Sequence, residues 1–276
     1  MITEGNDWTA DSMRTVLAQV PSAVGDKEEN LKRIHEVVSG QEADLFVFPE
    51  LFLSGYMCRD RVHLMAEPLQ GESVQELATV AEEHQCSILL GMPTLDEETT
   101  GLVHNSAVLV KPDGSAWSYD KINLATFGPF EESLYFAPGK VPTIFEVEGF
   151  RLGVVICYDL FFPELSKSLV LHGADAVICI SASPNTSRDF FERIVPARAI
   201  ENTAFSVYVN NAGCQLNQVF FGGSHAVGPR GNQLVKCDYF RKDVRSVDLD
   251  LSEVRAARRI RPTVRDSMGL VSQDLF

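Results

Sequence analysis

Short, wholly apolar runs alternate along this chain with amphipathic stretches, and that alternation limits it to a layered α/β fold. Residues 44–48 (DLFVF), 87–91 (SILLG), 151–157 (RLGVVIC) and 176–181 (AVICIS) lack the apolar/polar alternation of a half-solvated strand. Such runs suit strands covered on both faces. Between them, Asp26 with Glu29 three residues on reads as an N-cap and its capping-box partner. Leu31, Ile34, Val37 and Val38 follow at helical spacing, and Val74, Leu77, Ala78 and Ala81 repeat the pattern. Helices are expected at 26–39, 73–84, 164–173, 188–201 and 250–259. Pro112-Asp113-Gly114 separates strands 104–111 and 116–121, and Gly149 separates 143–148 from 151–157, so both pairs read as hairpins. Strands at 14–20, 204–210, 218–227, 233–238 and 244–249 complete the pattern. The order predicts α/β layers with mixed sheets.

No Pro-, Ser- or Gly-rich linker and no repeat divides the 276 residues. A chain of this size buries about three quarters of its unfolded surface, enough for a core without staples. One domain over 1–276 is expected, with a polar N-terminal extension at 1–12 and an extended C-terminal tail at 260–276. The net charge of −14 argues against a nucleic-acid partner, because that binding draws its affinity from neutralised phosphates. The basic stretch from Arg255 to Arg265 reads as a solvated helix face. No run approaches the ~18 apolar residues of a membrane span. The N-terminus lacks the charged and apolar regions of a secretory signal. A cytoplasmic protein with free thiols is expected. Its six cysteines form no CxxC pair and no cluster with zinc-ligand spacing.

Three segments place a polar residue at the end of an apolar strand, where α/β sheets carry their ligand sites. Glu50 follows Leu45-Phe46-Val47-Phe48-Pro49. Lys121 follows Tyr119-Asp120, and Cys157 follows Val154-Val155-Ile156. Alone, each has a plain competing reading: an exposed acid, a solvated lysine, an inert buried thiol. A nucleophilic thiol also needs a base and an oxyanion donor. His35, His84 and His172 fall in helical segments, while His104 and His225 stay open as bases at this point.

The combined pattern resembles the nitrilase, or carbon–nitrogen hydrolase, superfamily. The resemblance rests on ADLFVFPELFLSGY at 43–56, DKINLATFGPFEESLYFAPG at 120–139 and LGVVICYDLFFPEL at 152–165. GADAVICISASPN at 173–185, RAIENTAF at 198–205 and FGGSHAVGPRG at 221–231 match as well. The resemblance implies a four-layer α-β-β-α sandwich with two mixed sheets. It also implies a homodimer or higher homo-oligomer, commonly built through the helix after the nucleophile and the helix near 190–203. It implies a Glu50–Lys121–Cys157 triad and a further active-site carboxylate at Glu132, chosen over Glu131 by anchoring on Tyr135-Phe136-Ala137-Pro138-Gly139.

On that resemblance the chain is expected to hydrolyse a small linear carboxamide to carboxylate and ammonia through a thioester, with no metal or organic cofactor. Glu50 is the expected base, Lys121 and the backbone N–H of Tyr158 the oxyanion donors, and Glu132 orients Lys121. Tyr56, Phe127, Phe161 and Asn185 are candidate substrate contacts; for the aromatics, ordinary core or rim packing competes. Arg198 and Glu201, one helical turn apart, read as a structural ion pair. An N-carbamoyl amide hydrolase is the first alternative. A nitrilase or a catalytically silent binding member ranks lower.

Overall fold

The computed structural model describes residues 12–271. The expected N-terminal extension lies outside them, except Ser12, which opens the first strand. The chain runs β1 (Ser12–Gln19), α1 (Lys27–Val38), β2 (Leu45–Val47), α2 (Val62–Met65), α3 (Glu72–His84), β3 (Ser87–Leu95), β4 (Val103–Val110) and β5 (Ala116–Asp120). It continues through β6 (Thr143–Val147), β7 (Phe150–Ile156), α4 (Pro163–Leu171), β8 (Ala176–Ser181), α5 (Arg188–Asn202), β9 (Phe205–Asn210), β10 (Ala212–Gln215) and β11 (Gln218–Phe221). Last come β12 (His225–Val227), β13 (Gln233–Lys236), β14 (Asp243–Asp250), α6 (Leu251–Ile260) and α7 (Thr263–Val271).

Two six-stranded mixed sheets result. One is ordered β14-β1-β2-β3-β4-β5, the other β13-β12-β9-β8-β7-β6. In the first, β1, β2 and β3 are parallel; in the second, β7, β8 and β9 are. Alternation along each strand decides what it faces. On β1, Met13 and Leu17 point to the second sheet and share a core with Val154, Ile178 and Val207. Val16 and Ala18 point the other way, into a core with Leu31 and Ile34 of α1 and Leu77 and Val80 of α3. Both faces are covered, so the strands read as continuous apolar runs. Helices α4 and α5 cover the outer face of the second sheet, where Leu169, Val195 and Ala199 join its core. The layers are therefore α-β-β-α.

Two expectations need correction. The expected extended tail at 260–276 is helical over Thr263–Val271, where α7 packs on α4 and α5 and buries Val264; residues 272–276 lie outside the described residues. Pro262 precedes the first helical residue, where its missing N–H costs nothing, so it starts this helix instead of ending the previous one. The single strand expected at 218–227 is two, because Gly222 and Gly223 both take left-handed φ (+65° and +61°) and turn the chain from a two-stranded β10–β11 sheet into the second large sheet.

Candidate active site

Glu50 leaves the end of β2 through a tight turn. Leu51 has φ +47°, and Gly91 on β3 lies so close that a Cβ there would fall 2.5 Å from the Glu50 Cα. Only glycine permits that approach. Gly91 also fixes the turn, its N–H donating to the Pro49 carbonyl at 3.0 Å. Lys121 continues β5 one residue past its end, where its N–H still donates to the Asn105 carbonyl at 2.9 Å. Cys157 directly follows β7 with φ +47° and begins a 3-10 turn running to Phe161. Left-handed backbone at a non-glycine residue costs on the order of 1–3 kcal/mol and persists only where its surroundings enforce it.

Those surroundings centre on Asp159. Its Oδ2 accepts from the Ile156 N–H at 3.1 Å and the Tyr119 hydroxyl at 2.8 Å. Its Oδ1 accepts from the N–H and side-chain amide of Asn123 at 2.8 and 2.9 Å. One buried carboxylate thus ties the cysteine turn to the segment carrying Lys121. Arg198 holds the far end, donating to the carbonyls of Leu160 at 2.9 Å and Phe161 at 3.3 Å while pairing with Glu201 at 3.0 Å.

The charge-bearing side chains meet in a buried cluster. Lys121 Nζ lies 2.8 Å from Oε1 of Glu50 and 2.8 Å from Oε1 of Glu132. Glu50 also accepts from Asn105 Nδ2 on Oε1 and from the Ala182 N–H on Oε2, each at 2.8 Å. Glu132 accepts from the Tyr56 hydroxyl at 2.7 Å and the Ala125 N–H at 2.9 Å. Glu131 is exposed and meets only the Tyr135 hydroxyl, at 3.3 Å. The cluster therefore contains Glu132 and not its neighbour. Cys157 joins through consecutive residues: Ala182 holds Glu50, and the Ser183 hydroxyl lies 3.4 Å from the Cys157 Sγ.

The electrostatics follow from burial. Desolvation pushes the Glu50 carboxyl up against the opposing pull of Lys121. Burial alone would lower the Lys121 ammonium, but Glu132 and Glu50 outweigh it and hold the charge. The Cys157 thiol is pushed up to about 12 by burial and by Glu50, with Lys121 pulling the other way. Burial and the Glu50 charge thus both favour the neutral thiol.

Cys157 and Ser183 sit in a cavity of about 260 Å3 that Phe127, Phe161 and the side chain of Tyr158 also line. The Tyr158 N–H lies in the first turn of a helix, where no intrahelical acceptor exists. Tyr56 does not line this cavity; its hydroxyl donates to Glu132. Asn185 is not brought to the cavity; it is exposed and opens a 3-10 turn at 185–187, and Ser183 and Ser187 line the wall instead. His104 is bonded to Ala137 and Asp96, and His225 to Gly223, so neither is directed at Cys157. Asn105, Asp159 and the Ala182 N–H were not anticipated. Asp159 was visible in the CYD sequence as a carboxylate that had to be buried, but Asn105 lies inside an all-buried strand with no local signal.

A carboxylate, an ammonium and a thiol are gathered at the sheet ends of an α-β-β-α sandwich. The chain belongs to the carbon–nitrogen hydrolase family, whose profile matches residues 14–259, and it is of the amidase/nitrilase type. It is 35% identical over 264 residues to an (R)-stereoselective amidase of Pseudomonas sp., covering 94% of this chain and 93% of that one. A carbon–nitrogen hydrolase superfamily protein of Xanthomonas campestris superposes with a TM-score of 0.84 at 25% identity, over 92% of this chain and 97% of the other. A mutant amidase from Nesterenkonia sp. AN1 matches with a TM-score of 0.78 at 28% identity, over 92% and 96% of the two chains. That structure shows covalent addition of the acetamide moiety of fluoroacetamide at its active-site cysteine. No helix among the described residues is long and apolar enough to cross a membrane.

Proposed function

We propose that this protein is a cysteine-dependent amidase that cleaves a small linear carboxamide to carboxylate and ammonia. The carrying observation is the position of Cys157, open to the cavity yet joined through Ser183 and Ala182 to a buried carboxylate of raised affinity for protons. A resting thiol pushed up to about 12 is a poor nucleophile, so its proton must leave as it attacks. Glu50 accepts that proton while the sulfur–carbon bond forms. The carbonyl oxygen takes the negative charge, stabilised by the Lys121 ammonium and the Tyr158 N–H. Protonated Glu50 then passes its proton to the departing nitrogen, the carbon–nitrogen bond breaks, and ammonia leaves a thioester. Glu50, ionised again, deprotonates a water that cleaves the thioester and restores the thiol. Glu132 keeps Lys121 charged and aimed throughout.

Ammonia release from a panel of amides, carbamoyl compounds and nitriles by the wild type and Cys157→Ala tests this. The variant should lose at least about 10⁴-fold in kcat, as nucleophile removal does elsewhere. Equal release by both proteins defeats the mechanism. Carbon dioxide released with the ammonia selects the carbamoyl hydrolase, and turnover of nitriles alone selects the nitrilase.

A homodimer through α4 and α5 is the companion proposal. Phe190 and Ile200 of α5 are exposed large apolar side chains, as an unpaired helix face of this kind would be. A sedimentation mass near 30.5 kDa at micromolar concentration would overturn it.

A further inference from the structure

The wall around Cys157 is largely aromatic, with Ser183 and Ser187 adding hydroxyls. Phe127, Phe130, Tyr158, Phe161, Phe190 and Phe191 line it, and none of the residues lining this cavity carries a charge. The rings form a chain of edge-on and tilted contacts: Phe127 to Phe130 at 5.4 Å, Phe127 to Tyr158 at 4.8 Å, Tyr158 to Phe161 at 5.7 Å and Phe161 to Phe191 at 5.3 Å between centroids. A further ring entering such an array meets the offset geometry that aromatic pairs favour. The volume, about 260 Å3, exceeds the ~150 Å3 at which an apolar protein cavity takes up benzene.

Charge points the same way. A substrate carboxylate would need a cation in this wall, and the nearest ammonium in the site, Lys121, already serves two carboxylates. An unpaired carboxylate inside an apolar cavity is strongly disfavoured.

We propose that the acyl group of the substrate is uncharged and carries a benzene-sized apolar substituent, as in an arylalkanamide, and that monoamides of dicarboxylic acids are excluded. This rests on the amidase reading and specifies its substrate class. Cys157 would attack the amide carbon at the inner end of the cavity while the ring lies between Phe127, Phe161 and Phe190.

The test compares kcat/KM for acetamide, propanamide, 3-phenylpropanamide and 4-carbamoylbutanoate. The phenyl amide should exceed acetamide about 10- to 100-fold, the effect of burying one aromatic group. 4-Carbamoylbutanoate should fall at or below acetamide. Equal rates for acetamide and the phenyl amide, or a preference for the carboxylate, overturn the proposal. Calorimetric binding of the same amides to Cys157→Ala reads the pocket without turnover, and 3-phenylpropanamide should bind at least about tenfold tighter than the others. Selective binding with no turnover by the wild type would defeat the amidase reading and leave the pocket assignment standing. Binding without that selectivity would defeat the assignment itself. Phe127, half exposed at the mouth, tolerates Phe127→Arg on the fold side. That change should shift the ratio of phenyl amide to 4-carbamoylbutanoate at least about tenfold toward the carboxylate, and an unmoved ratio counts against the proposal.

Discussion

Asn105 and Lys121 converge on one atom, each placing a nitrogen 2.8 Å from Oε1 of Glu50. The two are held in step by the backbone, because Ser106 pairs with Asp120 and the next rung joins Lys121 to Asn105. Both donors stabilise the ionised carboxylate, and burial opposes them. Glu50 must be ionised to act as base, so kcat/KM should fall on the acid side around a midpoint above the ordinary glutamate value of 4.5. Asn105→Ala removes one donor, raises the Glu50 pKa further and should move that midpoint to higher pH. A pH–rate profile unchanged by the substitution would show that Asn105 has no hold on the base.

Lys121 neutralises two buried carboxylates at once. Lys121→Met should cost about 3–5 kcal/mol at neutral pH, because the charges it leaves are unpaired. It should also remove an oxyanion donor and reduce kcat by about 10²–10³-fold or more. Adding Glu132→Gln should recover part of the stability in urea denaturation and none of the activity. Recovery of both would mean that Lys121 serves the fold alone.

Asp159 does not line the cavity, yet four donors bind it. Asp159→Asn keeps the volume but turns an amide nitrogen toward donors, leaving at least one buried N–H or O–H unmatched. Stability should drop by about 1–3 kcal/mol. As a positioning residue, Asp159 should lower kcat more than it raises KM, because the Cys157 turn loosens while the aromatic wall stays. A KM effect with full kcat would contradict this assignment.

The six thiols should separate on treatment with iodoacetamide, itself amide-shaped. Cys214 is exposed, and Cys58, Cys86, Cys179 and Cys237 are buried away from the cavity wall. Peptide mass spectrometry should find label on Cys214 and Cys157 first. Glu50→Gln removes the proposed proton acceptor and should slow Cys157 alone, although losing the Glu50 charge by itself favours the thiolate. Equal slowing of Cys214, or none at Cys157, would separate Glu50 from the thiol's reactivity.

The layers were readable because burial on both faces leaves a mark: AVICIS can be little else than a central strand, and β8 occupies the expected residues 176–181. Helix α1 was equally plain from its cap and its apolar spacing. Glu50, Lys121 and Cys157 were legible only as members of motifs, since each alone has an ordinary explanation. What the motifs could not convey is which neighbours tune them. Asn105 contributes through strand register, Ala182 through a backbone N–H that any residue would supply, and Asn185 was misplaced because a 3-10 turn rotates it outward. Helix α7 escaped notice because Pro262 resembles a stop signal until its place at a helix start is known.

The two sheets bring different groups to the centre. Glu50 and Lys121 extend from β2 and β5 of one sheet; Cys157 and the Ala182 N–H extend from β7 and β8 of the other. Neither sheet alone holds both the proposed nucleophile and its proposed base, and the line along which they are assembled is the seam of the sandwich. Catalysis therefore acts as a gauge of inter-sheet alignment. On warming, a slide too small to disturb either hydrogen-bonded ladder would already part thiol from carboxylate, and the enzyme would fall silent while its circular dichroism still reported a folded protein.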